Sequence, residues 1–458
     1  MEGPERWKPY RKEIITIAGC AALLLLCAAL YIADNPIEKW YEWTAVLTEL
    51  LLFCAVGVRF VFRWFDDWKQ ARRELPEPAP EPVKIRTDLT VFCCMLGVHA
   101  IRILLGYVWQ VLALDFHGSL LESLSVWWGS DTGHYLEIAE YWYADYNGSG
   151  TVWRLVFFPF YPILIRLLQP LIGEWFHAGM LISILCSSAA GCVLYRLVRL
   201  DHDEETARRA VKYYAILPAA FFYTAVLSEG TFLLLSLLCV LFSRKRRWLA
   251  AAVFGMLAAF TRSLGIVLLV PAFYEWMTAL IGLPNGKRKK TLLWGLCLLL
   301  IPLGFCAYLW INYRETGDCF AFLAYQKENW NQQLGWFFHS ARYQSEYLVR
   351  WLHEGRAADA LGLWIPSLCA RFLALTGMCL TAKAQRPADT AYFLIYYLIA
   401  MGTTWLLSAP RYLLVLYPIV LALAHLGRRR RLDATVTAAC LIGGQLYFYA
   451  FLMQFDVY

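Results

Sequence analysis

Apolar runs of about 17–25 residues recur from one end of this chain to the other, and no other feature limits its fold so tightly. Such a run crosses a hydrocarbon layer as an α-helix, because a helix satisfies its backbone amides and carbonyls within its own segment. The runs predict spans at 14–33, 44–64, 89–111, 179–198, 211–227, 229–243, 247–260, 264–282, 291–312, 361–380, 390–408, 411–427 and 434–453. They amount to about 13 helices, and 229–243 and 247–260 are short enough to be half-helices. The expected fold class is an all-α polytopic membrane protein. Composition agrees: 60% of the 458 residues are hydrophobic and 17% are charged, against about 25% charged in soluble domains. The aromatic share is 16%, with 20 Trp, which suits interfacial belts and a ring-lined polar cavity.

The 14 cysteines, among them Cys20, Cys27, Cys54, Cys93, Cys94, Cys186, Cys192, Cys239 and Cys297, lie nearly all inside apolar runs. No CxxC and no Cys/His ligand spacing occurs, so they read as small buried apolar side chains rather than disulfides or a zinc site. The charged N-terminus precedes the apolar run 14–33 without a small-residue cleavage signal, which makes that run a retained helix. The net charge of +7 does not point to nucleic acid, since the basic residues sit in short loops, where membrane topology puts them.

Those loops set the topology. Arg6, Lys8, Arg11 and Lys12 precede the first span, and Lys69, Arg72 and Arg73 follow the second. Arg196, Arg199, Arg208, Arg209 and Lys212 flank the loop near 200, and RKRR at 244–247, KRKK at 287–290 and RRRR at 428–431 complete the set. All fall on one side, the cytoplasm, if 156–173 does not cross the membrane. Two long loops, 112–178 and 313–360, then face outward, as do the turns Ser228-Glu229, Thr261-Arg262-Ser263 and Ala409-Pro410-Arg411. The segment 157–173 becomes a helix lying on the outer surface or dipping into it. The Pro-rich ELPEPAPEP at 74–82 divides the chain into an appended helix pair, 1–75, a cytoplasmic linker, 76–88, and a membrane domain, 89–458. Asn147-Gly148-Ser149 is a sequon that matters only in a eukaryotic secretory pathway.

Chemistry concentrates in the first outer loop, SVWWGSDTGHYLEIAEYWYADYN. Asp131, His134, Glu137 and Glu140 lie close together, interleaved with Trp127, Trp128, Tyr135, Tyr141, Trp142 and Tyr143. Helical spacing puts Asp131, His134 and Tyr135 near one face. Rings stack on pyranose C–H surfaces while acids take hydroxyls, and a carboxylate that accepts a hydroxyl proton is what glycosyl transfer needs of a base. The competing account is an amphipathic interfacial helix whose acids face water. Asp201-His202-Asp203 has the D-x-D form of a metal site, but the topology puts it in the cytoplasm as a solvated loop. No outer acidic cluster has metal-ligand character, so no metal is expected. The second outer loop, rich in Trp, Gln and Asn, is assigned to acceptor recognition or to a cap over the cavity.

The arrangement WWGSDTGHYLEIAEYWY followed by FFPFYPILIRLL resembles the membrane mannosyltransferases that add the second mannose of glycosylphosphatidylinositol anchors, and their bacterial relatives. That family carries W-D-x-x-H-[FY]-x-x-I-A and then F-F-P-x-[FY]-P; this chain departs in having Trp-Gly-Ser-Asp in place of Trp-Asp. The resemblance continues through 217–237, 257–271 and 410–424 and covers residues 90 to 427. It implies the multi-spanning GT-C glycosyltransferase fold and an inverting transfer of a sugar, mannose, from a polyprenyl-phosphate donor to a lipid or glycan acceptor. Asp131 stands at the place of the base.

The remaining residues follow from position. Arg411 and Arg262, at span ends on the outer face, can bind a lipid phosphate through their planar forks, or else snorkel to the interface. Glu229 either contacts the acceptor or holds an arginine. Trp128, His134, Tyr135 and Tyr412 are the further substrate-binding residues expected, with membrane lipids around them and no cofactor. A bacterial plasma membrane is the expected site, with the endoplasmic reticulum as the alternative. A flippase or transporter of a lipid-linked glycan is the rival function, but it would show repeated halves, and none is seen.

Overall fold

The structure is a computed structural model and describes residues 10–71, 84–129, 131–144, 152–283, 285–455 and 457. The Pro-rich segment 74–82, the sequon 147–149 and the basic residues Arg6, Lys8, Arg72 and Arg73 lie outside the described residues. The helices in chain order are α1 (Arg11–Asp34), α2 (Trp40–Ala71), α3 (Ile85–Ala113), α4 (Thr132–Tyr141), α5 (Phe160–Ile172), α6 (Trp175–Val198), α7 (Glu204–Ile216), α8 (Glu229–Arg244), α9 (Trp248–Thr261) and α10 (Leu269–Gly282). They continue as α11 (Asn285–Gly295), α12 (Leu300–Thr316), α13 (Ala321–Trp330), α14 (Phe337–His353), α15 (Ala357–Gly362), α16 (Trp364–Thr381), α17 (Pro387–Ala400), α18 (Ala409–Leu414), α19 (Tyr417–Leu426) and α20 (Arg430–Leu452). Extended pairing among the described residues is confined to one bridge, Leu334 with Thr403.

Among the described residues, eight helical stretches are long and apolar enough to cross a membrane: 11–34, 40–69, 85–113, 175–198, 263–282, 288–316, 357–381 and 430–452. Each coincides with a span expected from the sequence, and the chain is a multi-pass, all-α membrane protein. The other five expected spans are shorter or broken. The helices α8, α9 and α17 hold 16, 14 and 14 residues. The run 211–227 is not one helix, because Pro218 forces Leu217 into an extended conformation (ψ 141°) and α7 stops at Ile216. The run 411–427 breaks because Pro418 has no N–H for the Leu414 carbonyl; the Tyr223 hydroxyl donates to that carbonyl instead, at 2.8 Å. Segment 157–173 is not among the span-length helices. It forms α5, 13 residues long, and closes at Gly173 in the left-handed region that glycine favours.

Non-helical backbone at membrane depth survives only when protein groups satisfy it. The buried segment 219–228 shows how. Thr132 Oγ1 donates to the Val226 carbonyl at 3.3 Å and Ser183 Oγ to that of Leu227 at 3.1 Å. His99 Nδ1 pairs with Thr224 Oγ1 at 2.9 Å.

Charged groups form two separate tiers. In one, Lys69 pairs with Glu13, Arg196 with Asp88, Lys212 with Asp433, Arg244 with Asp201 and Asp389, and Arg386 with Glu275 and Asp201. The basic loops that the sequence assigns to one side thus meet at one end of the bundle. Asp201-His202-Asp203 is an exposed loop, as expected, and it also makes contacts: Asp201 is held by Arg244 and Arg386, and Asp203 accepts from the Thr206 amide at 2.8 Å to cap α7. The second tier contains Arg342 with Glu42, Arg154 with Glu137, and the cluster around Arg411.

The helix pair at the N-terminus packs into the bundle. α2 lies against α14, α16 and α17, Arg342 Nε donates to Glu42 at 2.7 Å, and Arg59 donates to the Cys379 carbonyl.

Candidate active site

At the second tier four short connections converge. α4 starts immediately after Asp131, the position where an Asp side chain ordinarily accepts an amide from the first turn. Asp131 makes no such bond. Its Oδ2 accepts from Arg411 Nη2 at 2.8 Å. The local role of the residue is given up for a tertiary one. Tyr135, one turn on, is buried and shares a hydrogen bond with Ser228 Oγ at 3.0 Å, which docks α4 on the turn that opens α8.

Glu229, the first residue of α8, is fully buried. Its Oε1 accepts from Arg411 Nε at 2.8 Å and from Arg262 Nη1 at 2.9 Å. A carboxylate there also gains from the helix N-terminus. Arg262 Nη1 reaches Ser228 Oγ at 3.2 Å, and its guanidinium lies 5.4 Å from the centre of the Tyr412 ring. The Arg411 guanidinium lies 5.5 Å from the Phe222 ring. Two acids and two arginines therefore form one charge-balanced cluster, in which Glu229 and Arg411 are buried while Arg262 and Asp131 are 14% and 27% exposed.

The exposed side of the cluster opens into a cavity of about 180 Å³. Asp131, Tyr135, Arg262, Ser408, Arg411 and Tyr412 line it. So do Phe157, Phe158, Phe322, Gln326, Trp330 and Gln332. The two long loops expected on one side thus meet across one space, with α13 packed on residues 153–156. Aromatic rings and neutral amides suit a hydroxylated ligand, and a carboxylate beside two guanidinium groups suits proton transfer next to an anion.

Of the sequence candidates, Asp131, Tyr135, Arg262, Arg411 and Tyr412 line this cavity and Glu229 ties its arginines together. Trp128 and His134 are not among the lining residues. Trp128 is 54% exposed and stacks on Phe176 at 5.7 Å. His134 packs between Trp153 and Phe157 with Nδ1 buried and without a hydrogen-bond partner. Burial holds its imidazole below the ordinary value of 6.5, against the opposing pull of Asp131 and Glu137. Glu137 is engaged by Arg154, and Glu140 is exposed. Sequence reasoning missed Arg154, Ser408 and the amides Gln326 and Gln332. Only the polar-aromatic character of 313–360 hinted at the last two.

Residues 158–310 match the family model described as dolichyl-phosphate-mannose-protein mannosyltransferase. That stretch contains Glu229 and Arg262 but not Asp131 or Arg411. Among solved structures, ArnT from Cupriavidus metallidurans bound to undecaprenyl phosphate is similar over 71% of this chain and 60% of that one, at 16% identity and a TM-score of 0.44. This chain thus aligns with less than two thirds of that protein's length. No curated protein matches.

Proposed function

We propose that this protein is a GT-C-type glycosyltransferase that moves a sugar, mannose in the first instance, from a polyprenyl-phosphate donor to a lipid or glycan acceptor at the extracytoplasmic membrane face. The observation that carries the reading is the convergence of Asp131, Glu229, Arg262 and Arg411 at one cavity walled by rings and amides. The match of 158–310 to the mannosyltransferase family model supports the same class.

In this mechanism the donor phosphate takes the Arg411 fork, with Arg262 beside it, and Asp131 is released. The acceptor O–H bond breaks, its proton goes to the Asp131 carboxylate, and the oxygen forms a bond to the anomeric carbon. The bond from that carbon to the phosphate oxygen breaks, and polyprenyl phosphate leaves with the electron pair. The configuration inverts through an oxocarbenium-like state. The arginines stabilise the leaving charge, so no metal is invoked. The setting that best suits this donor is a bacterial plasma membrane, with the endoplasmic reticulum as the alternative.

The test is transfer by purified protein in detergent, with synthetic polyprenyl-phosphate mannose and a panel of glycolipid acceptors. Transfer without any membrane gradient excludes pure transport. No sugar transfer from any polyprenyl-phosphate sugar, together with movement of a lipid-linked glycan across vesicles, would establish the flippase reading instead.

A further inference from the structure

We infer that the N-terminal helix pair belongs to the working apparatus: Glu49 of α2, acting through Arg371 of α16, is a positioning residue that holds segment 401–408, and with it Arg411, against the cavity. The cavity's function rests on the reading above; the positioning itself does not.

Glu49 and Arg371 are both fully buried in the bundle. Arg371 Nη1 lies 3.2 Å from Glu49 Oε2, and the Tyr397 hydroxyl of α17 donates to Oε1. A well-packed apolar pair would serve stability at least as well, since two ions lose their hydration here. An ion pair at this depth therefore calls for a further role. Its connections supply one. Arg371 Nη2 donates to Ser340 Oγ of α14 at 2.7 Å, and Ser340 Oγ donates to the Met401 carbonyl at 2.6 Å. Met401 is where α17 ends and the irregular segment begins.

From that point the segment is gripped residue by residue. The Gly335 amide donates to the Gly402 carbonyl at 2.5 Å, the Thr404 amide to the Gln333 carbonyl at 2.8 Å, and Gln344 Nε2 to the Leu406 carbonyl at 2.8 Å. Leu407 and Ser408 then line the cavity, and the Arg411 amide donates to Ser408 at 3.1 Å as α18 starts. The same hydrogen bonds tie the segment to residues 331–335, next to the cavity residues Trp330 and Gln332. One charge-assisted relay from α2 thus anchors the start of the segment that leads to Arg411. Arg is the side chain that can serve Glu49 and Ser340 together, through one planar fork.

The test uses the full-length protein in detergent, with Glu49→Gln and Ser340→Ala. Ser340→Ala keeps Glu49 and Arg371 and removes the relay, together with a bond from the Ser340 hydroxyl to the Phe337 carbonyl of its own helix. Amide exchange at Gly335 and Thr404 should rise by about tenfold in each variant, while the amides of α6, α8 and α9 exchange as before. Binding of a short polyprenyl phosphate should weaken several-fold. In a double-mutant cycle with Arg411→Lys the losses should be less than additive, because both act on one guanidinium. Unchanged exchange in folded Ser340→Ala, or exchange raised throughout the bundle, would overturn the inference and leave the pair a packing feature. Altered exchange at 333–335 and 402–406, with no lipid-phosphate binding by either the variants or the unaltered protein, would uphold the positioning and reject the proposed function.

Discussion

At the residue scale the site turns on one oxygen. Asp131 Oδ2 accepts from Arg411, so the proposed base and the proposed anion-binding group are coupled before any ligand arrives. Asp131→Asn keeps the shape and removes the basicity; donor binding should persist while turnover falls about 100-fold or more. Glu137→Gln should cost far less turnover, because Glu137 serves Arg154. An inert Glu137→Gln beside a near-normal Asp131→Asn would transfer the role of base. Arg411→Lys keeps the charge but loses the fork that spans Asp131 and Glu229, so donor affinity should fall most. His134 gives a pH signature. Its folded-state pKa lies below 6.5, so the unfolded chain takes up the proton first as pH falls. Its contribution to stability should be present above 6.5 and decline from there down to the folded pKa. Thermal midpoints in detergent should drop on acidification, and His134→Phe should make that drop smaller than in the unaltered protein.

At the element scale, breaks rather than helices carry the site. α7, α18 and α19 end or begin where a proline denies the helix, and the freed backbone is satisfied by side chains from elsewhere. Tyr223 is the clearest case, since its hydroxyl serves the Leu414 carbonyl between α18 and α19. Tyr223→Phe leaves that carbonyl unpaired in an apolar setting and should destabilise the fold by about 1–3 kcal/mol. The strain should appear next to Arg411, so donor affinity should fall with it. A Tyr223→Phe protein with unchanged stability would mean that water reaches the carbonyl. On α5, Leu167 and Leu171 are 69% and 82% exposed while Tyr161 and Ile165 are buried, which is the pattern of a helix lying along a lipid surface.

At the scale of the whole molecule, the ends of the bundle are chemically distinct. One end gathers the basic loops into ion pairs; the other holds the cavity. Under the positive-inside rule, the orientation proposed here puts the cavity outside. An exposed Glu140→Cys, on the cavity end, should react with an impermeant thiol reagent in intact cells when the other reactive cysteines are replaced. An Arg208→Cys, on the opposite end, should react only after permeabilisation. The reverse pattern would invert the topology and with it the proposed location of the chemistry.

How much of this was legible beforehand divides along a physical line. Hydrophobicity adds up locally along a run, so the eight long helices, the shorter α5 and the gathering of the basic loops at one end of the bundle could be read directly. Asp131, Arg262, Arg411 and Glu229 stood out because ionisable groups at span ends are costly, and Asp131 also through its motif. What the sequence left open was which of them meet. Asp131 and Arg411 are 280 positions apart, and Glu49 and Arg371 are 322 apart; no local pattern pairs them. Tertiary packing chose the partners, since each buried ion required an opposite charge within reach. The same packing turned His134 into the aromatic cluster, left Trp128 outside the cavity, and joined the N-terminal helix pair to the segment that carries Arg411.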